Sequence, residues 1–386
     1  MIELKGNFNT AKVFTDEIEE SAIKQIDTLL NQQFTKDCKI RIMPDVHSGS
    51  GCVVGFTANL GDKVVPNLVG VDIGCGVLTV PLGKVDIDYR RFDKVLRDSI
   101  AFGLNINKEI KSDFDELNDL YCYNEAIKYK RDKIIRAIGS LGSGNHFIEI
   151  DEDNSDEKYL MIHTGSRHLG IDVCEYYQNI AETNSLDENI PKNLSYLTGS
   201  DRDRYLHDMR ICQRFAELNR FIIAKELLEN YFNDCKINLS SGGSFKLKQK
   251  GKYNIKTEWF DTIHNYIGDD NIIRKGSVSA YKDQLLVIPV NMRDGVLICK
   301  GKGNEDWNYS APHGSGRIMS RSKAKESIQL SDYAESMKGI FSTCINENTI
   351  DESAFAYKDI YHIIDNVQDT VDIIKIIKPK YNFKAG

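Results

Sequence analysis

The chain has 386 residues, 41% of them hydrophobic and 28% charged, with a formal net charge of −7. This is globular composition. The acidic balance argues against a protein that coats nucleic acid non-specifically, and no apolar run approaches the roughly 20 residues of a membrane-spanning helix.

The amino terminus, Met1-Ile-Glu-Leu-Lys-Gly6, lacks the charged start and apolar centre of a signal peptide. Nine cysteines at irregular spacing read as reduced thiols of a cytoplasmic protein, not as a disulfide framework. Residues 2–14 read as a short strand region. Thr15 is then expected to cap a helix, with Asp16 and Glu17 in its first turn and Ile18, Ala22, Ile26 and Leu29 on one stripe. Residues 38–82 change period and read as short β pieces between glycine turns. Residues 89–135 return to helix. Asn145–Ile150 and Tyr159–His163 read as strands. Residues 203–233 form the strongest helix, with Met209, Cys212, Ala216, Ile223 and Leu227 on its stripe. Leu285–Ile288 and Val296–Cys299 are strands, Ser322–Gly339 is helical, and a charged tail follows Pro379. No linker, repeat or low-complexity segment interrupts the chain. The expectation is an α+β fold, with residues 1–386 forming a single mixed domain whose β-rich core is surrounded by helices.

The chemistry gathers around Val69-Gly-Val-Asp-Ile-Gly-Cys-Gly76, where Asp72 and Cys75 share a glycine-rich turn. Glycine lets such a turn bend so that a carboxylate and a thiol face one point. His146, His163 and His264 follow, each beside glycine or asparagine. One carboxylate, one thiolate and three imidazoles suffice for two cations if the thiolate bridges. Ligand softness puts zinc first, and imidazole with carboxylate also suits manganese. His313 differs: in Pro312-His-Gly-Ser-Gly-Arg317 it stands between small residues, open to attack a substrate. Arg317 and Arg321, four and eight residues on, suit phosphates.

Met43-Pro-Asp-Val-His47, Val71–Gly76, Gly144-Asn-His-Phe-Ile-Glu149, His163-Thr-Gly-Ser-Arg167, His264-Asn265, Arg274-Lys-Gly276, His313–Arg317 and Ala356-Tyr-Lys-Asp359 occur in this order. Together they resemble the RtcB family of RNA ligases over nearly the whole chain. The resemblance implies joining of an RNA 3′-phosphate or 2′,3′-cyclic phosphate to a 5′-hydroxyl, using GTP and Mn2+, with an archease-type activator for some members. It implies that Cys75 bridges two manganese ions, with Asp72 and His146 on one and His163 and His264 on the other. His313 would carry GMP. Asn145 and Glu149 would contact the nucleotide, Tyr357 and Lys384 would hold the guanine, and Arg167, Arg317 and Arg321 would grip phosphates.

The sequence departs from the family's usual pattern at Ile273, Ser277-Val-Ser279, Pro289-Val-Asn-Met-Arg-Asp-Gly295 and the terminal Lys-Ala-Gly386, segments that bear on nucleotide and RNA preference. Two other functions fit the residues: a two-metal phosphoesterase acting on RNA ends, and a non-catalytic RNA-binding protein. His47 reads as a support for the site or as a buried structural residue. His168, His207 and His362 read as surface or packing residues, and the remaining cysteines as small buried hydrophobes. The basic run Phe245–Lys252 reads as a solvated hairpin edge or an RNA contact.

Overall fold

The amino-terminal alternation forms a hairpin, β1 (Ile2–Lys5) antiparallel to β2 (Thr10–Val13). This computed structural model describes residues 1–185, 190–232, 236–237, 244–249 and 253–385. After the hairpin come α1 (Glu20–Leu30), β3 (Ile40–His47) and β4 (Val54–Ala58), then β5 (Gly76–Gly83), α2 (Tyr89–Ser99) and α3 (Arg131–Arg136). Next are β6 (Phe147–Glu152), β7 (Lys158–Thr164), α4 (Arg167–Asn184) and the 34-residue α5 (Gly199–Phe232). β8 (Lys236–Ile237), β9 (Ser244–Gln249) and β10 (Tyr253–Glu258) make a small sheet of their own. There follow β11 (Phe260–Ile263), β12 (Asn265–Ile267), β13 (Ile273–Lys275), β14 (Ser277–Ser279), β15 (Leu285–Asn291), β16 (Gly295–Gly301) and β17 (Ser310–Pro312). The chain closes with α6 (Arg321–Ser327), α7 (Leu330–Ser336), α8 (Ile360–Asn366) and β18 (Val371–Lys384).

Two sheets carry the architecture, and the α+β expectation holds. A six-stranded sheet runs β1-β2-β3-β4-β13-β12, and a seven-stranded sheet runs β11-β5-β7-β6-β18-β16-β15. α5 serves both cores. Met209, Cys212 and Phe215 pack in the first, with α1 and the β3 and β4 side chains. Ile223, Ala224, Leu227 and Leu228 pack in the second, against β5, β6 and β7. Apolar residues on both ends and several faces of one helix are the mark of a buried helix. Truncating Phe215 to Ala would cost about 3–5 kcal/mol.

Four expectations change. The first helix begins at Glu20, not after Thr15, because the Thr15 hydroxyl accepts from the Glu17 N–H at 3.0 Å and closes a local turn instead. Residues 100–130 hold no α-helix, only short tight or wide turns at Asp115–Asp119, Tyr123–Ile127 and Lys128–Lys130. Their backbone is satisfied from outside: Asp208 of α5 accepts from the Tyr121 and Cys122 N–H groups. The 322–339 helix breaks at Ile328, whose extended backbone lets its side chain join the Met292–Tyr333–Met337 cluster. The charged tail is β18, inserted between β6 and β16, with Ile377, Tyr381 and Phe383 buried and Lys378 exposed. The side chains of the basic run Phe245–Lys252, and Cys235, lie outside the described residues.

Candidate active site and metal centre

Five ligand-type side chains converge from four separate stretches of chain. Cys75 Sγ lies 3.6 Å from His146 Nε2 and 3.4 Å from His163 Nε2. His146 Nε2 lies 3.1 Å from Asp72 Oδ2, and His163 Nε2 lies 3.5 Å from His264 Nε2. The set divides into Asp72–Cys75–His146 and Cys75–His163–His264, with Cys75 in both and the ligand atoms of each trio within 4.8 Å of one another. Sulfur and nitrogen on one tetrahedral cation would stand roughly 3.5 Å apart, so the observed spacings fit.

The tautomers fit as well. His146 Nδ1 donates to the Leu141 carbonyl at 2.9 Å and His163 Nδ1 to the Asn145 carbonyl at 3.3 Å, which leaves both Nε2 lone pairs facing Cys75. Burial above all drives His163 and His264 well below the usual imidazole range, so both rings are neutral, the form a metal ligand needs. Burial and the Asp72 charge push the Cys75 thiol up. A thiol in this position becomes a ligand only when a cation displaces its proton. Burial raises the Asp72 carboxyl, but its polar contacts with His146 and Cys75 and the Arg167 charge outweigh this and hold it below the usual carboxylate range.

The sequence reading missed what fixes this centre. Asn219 and Arg220 are fully buried on α5. Arg220 donates to the Gly74 carbonyl at 2.9 Å and the Thr164 carbonyl at 2.7 Å, while Asp261 takes its other edge. Asn219 accepts from the Gly139 N–H at 2.7 Å and donates to the Gly165 carbonyl at 3.1 Å. The loops bearing Asp72 and Cys75, His146, and His163 are thus tied to one helix. The available signal was position: Asn219 and Arg220 stand three and four residues after Ala216 and four and three before Ile223, on the helix's apolar stripe. Gly165 has its own reason: an added Cβ would fall 2.2 Å from Asp72 Oδ1.

His313 stands beside the centre, its ring centroid 4.7 Å from that of His264. Asp45 of β3, fully buried, accepts from His313 Nδ1 at 2.7 Å and from the His313 and Gly314 backbone N–H groups at 3.1 and 3.2 Å. This fixes the ring and leaves Nε2 as its free atom. Asp45 was quoted in a motif without a role; only the pairing of β3 with the 313 loop reveals one. His47 lies at the same wall, its Nδ1 bonded to the Asp45 carbonyl at 3.0 Å.

His313 separates two cavities. The larger, about 360 Å³, is lined among others by Asn145, Glu149, Arg317, Arg321, Tyr357 and Lys384. The other, about 260 Å³, exposes Asp72, Cys75, His264 and Lys275. Residues 289–292 of the divergent loop line the larger cavity. Ile273 and Ser277–Ser279 are instead buried strand residues.

In the larger cavity Glu149 is buried and accepts a hydrogen bond from Asn382 Nδ2. Burial pushes its carboxyl up, opposed by Lys384. Glu352, absent from the sequence reading, is the local hub. It accepts from the Tyr357 hydroxyl at 2.6 Å, and Lys384, Arg317 and Arg321 approach it at 3.2, 3.3 and 3.0 Å. Arg317 and Arg321 therefore already hold carboxylates, and Arg321 also meets Asp351 at 2.9 Å. Arg167 lines neither cavity. Its guanidinium packs on Gly142, where an added Cβ would lie 1.7 Å from Arg167 Nη1 and 3.0 Å from His146 Nδ1. No helix among the described residues is long and apolar enough to cross a membrane.

The family model described as tRNA-splicing ligase RtcB matches residues 28–132 and 82–385. RNA-splicing ligase RtcB1 of Escherichia coli (strain ATCC 25922) is 30% identical over 371 residues, covering 88% of each chain. RNA-splicing ligase RtcB of Escherichia coli K12 is 29% identical over the same coverage. The tRNA-splicing ligase RtcB of Methanococcus maripaludis is 24% identical across 98% of this chain and 94% of its own. A match that runs from residue 28 to residue 385 and takes in all five converging side chains leads to one conclusion: the chain belongs to the RtcB family.

Proposed function

We propose that the protein is a GTP-dependent RNA ligase, with residues 1–386 acting as one ligase domain. It joins an RNA 3′-phosphate or 2′,3′-cyclic phosphate to a 5′-hydroxyl through a histidine–GMP intermediate, in RNA repair or tRNA splicing. The observation that carries this reading is His313: Asp45 holds Nδ1 at 2.7 Å, and the ring stands at the wall shared by the two cavities. The family names of its relatives support the RNA ligase class.

The residues divide the work. Asp45 keeps the Nδ1 proton, so Nε2 presents a lone pair to the α-phosphorus of GTP. A phosphorus–nitrogen bond forms there as the bond to the β-phosphate oxygen breaks and pyrophosphate leaves. Asn145 and Glu149 contact the nucleotide, and Tyr357 and Lys384 bracket the guanine. GMP then passes from Nε2 to the RNA 3′-phosphate. The 5′-hydroxyl displaces GMP and closes the phosphodiester. A cyclic phosphate is first hydrolysed to the 3′-phosphate. Asp72, Cys75 and His146, and Cys75, His163 and His264, would hold two manganese ions, whose charge would neutralise the phosphates. The free thiols of the eight described cysteines suit a reducing, cytoplasmic setting.

The test is transfer of label from α-labelled GTP to the protein with manganese present. Wild type should become labelled, and His313→Ala should not. An unlabelled wild type that still cleaves a cyclic phosphate would point instead to a two-metal phosphoesterase.

A further inference from the structure

A third cavity, about 190 Å³, opens on the face around α3, outside the nucleotide and metal cavities. Ile106, Ile134 and Phe215 give it apolar lining, and Lys130, Lys133 and Arg167 line it with three cations against one acid, Asp172. Arg167 connects it to the metal centre, since its guanidinium shares the Gly142 surface with the His146 ring.

The surroundings are unlike the rest of this acidic protein. Lys128, Lys130, Arg131, Lys133 and Arg136 fall within nine residues that contain one acid, Asp132. Lys130 pairs with Asp172 and Arg136 with Asp132. Lys128, Arg131 and Lys133 have no ion-pair partner among the described residues. Between them Tyr129 is 95% exposed, and Leu104, near Ile106 in sequence, is 94% exposed. A solvated charged face accounts for the lysines. It does not account for a fully presented tyrosine adjacent in sequence to Lys130, which lines the cavity.

We propose that this face is the docking surface for the single-stranded RNA that flanks the ends to be joined, a proposal that rests on the ligase reading. Unpaired cations meet successive phosphates, and an exposed aromatic ring offers a stacking platform for a base. A small cavity lined by apolar side chains and cations suits one splayed base with its phosphate. A duplex presents phosphates but keeps its bases stacked inside, so it offers no base to the ring or the cavity. Arg167 marks the route from this surface to the metal centre.

The experiment uses the full chain with two RNAs carrying a 2′,3′-cyclic phosphate: a long single strand and a trinucleotide too short to reach α3. Tyr129→Ala should weaken binding of the long strand about 5-fold or more, as removal of one base–aromatic stack does. Combined Lys128→Glu, Arg131→Glu and Lys133→Glu should flatten the logarithmic salt dependence by about 2, at about 0.7 for each phosphate no longer neutralised. Trinucleotide ligation and labelling of His313 by GTP should stay at wild-type rates, which also shows that these surface variants fold. Wild-type affinity and salt slope in both variants would overturn the proposal. So would equal losses on the trinucleotide, or an equal loss on duplex RNA. If the wild type takes no GMP label, the ligase reading fails on its own readout, separately from the RNA-binding result.

Discussion

Asp45→Asn isolates the step that the His313 geometry is proposed to serve. Asp45 Oδ2 accepts from His313 Nδ1 at 2.7 Å and from two backbone N–H groups at 3.1 and 3.2 Å. An asparagine has one acceptor oxygen and one donor amide in that space. If its oxygen takes the Oδ2 position it keeps all three hydrogen bonds as a neutral acceptor, and the amide falls at Oδ1, which has no partner. The imidazole then keeps its Nδ1 proton but loses the negative charge that offsets the positive charge developing on the ring as Nε2 attacks. A hydrogen bond to a charged partner contributes about 1.5–3 kcal/mol and a neutral one about 0.5–1.5 kcal/mol, a difference of about 1–1.5 kcal/mol. Labelling by α-labelled GTP should therefore slow by about 5- to 10-fold, at about 1.4 kcal/mol per factor of ten. Metal content should be unchanged, because Asp45 touches none of the five ligands. Melting temperature and metal analysis of the same sample separate this outcome from misfolding. A variant that labels at the wild-type rate would refute the role given to the Asp45 charge.

The other expectations follow from the same geometry. Cys75→Ala removes the side chain common to both ligand trios and should lose both metals, whereas Asp72→Ala should lower occupancy mainly at one; equilibrium dialysis with manganese and metal analysis reads the ratio. Asp151 is fully buried with no hydrogen-bond partner on either oxygen, and burial with the neighbouring Glu149 charge pushes its carboxyl well above the usual range. The native state therefore resists losing a proton that the unfolded chain gives up near its ordinary value of 3.8. Stability from this group is intact below that value and declines as pH rises toward the native one. Asp151→Asn should raise the melting temperature, with a larger gain at about pH 7.5 than at about pH 4.5; equal gains at both would show that ionisation is not the cause.

The ligand-type residues were legible because each sits in a short motif whose own glycine or asparagine announces a special backbone. Asp72, Cys75, His146 and His163 needed no knowledge of tertiary pairing to be noticed. Their supports did. Asn219 and Arg220 lie within a helical pattern that reads as core, and their meaning appears only when three loops converge on them. Glu352 acquires its role from Lys384, supplied by a strand that reads as a tail. That strand was misread because its lysines mask the apolar positions and its partners β6 and β16 are remote in sequence. The late start of α1 has a local cause: Thr15 bonds Glu17 rather than opening a helix, and Glu19 accepts from the Ser48 N–H at 2.6 Å.

The most direct test of the central claim is to map the site of GMP attachment. Wild-type protein incubated with manganese and α-labelled GTP should yield one acid-labile, nitrogen-linked label on the peptide containing His313, discharged when RNA with a 3′-phosphate is added. Label on another residue, label that persists in His313→Ala, or a wild type that ligates RNA without ever carrying GMP would contradict the account.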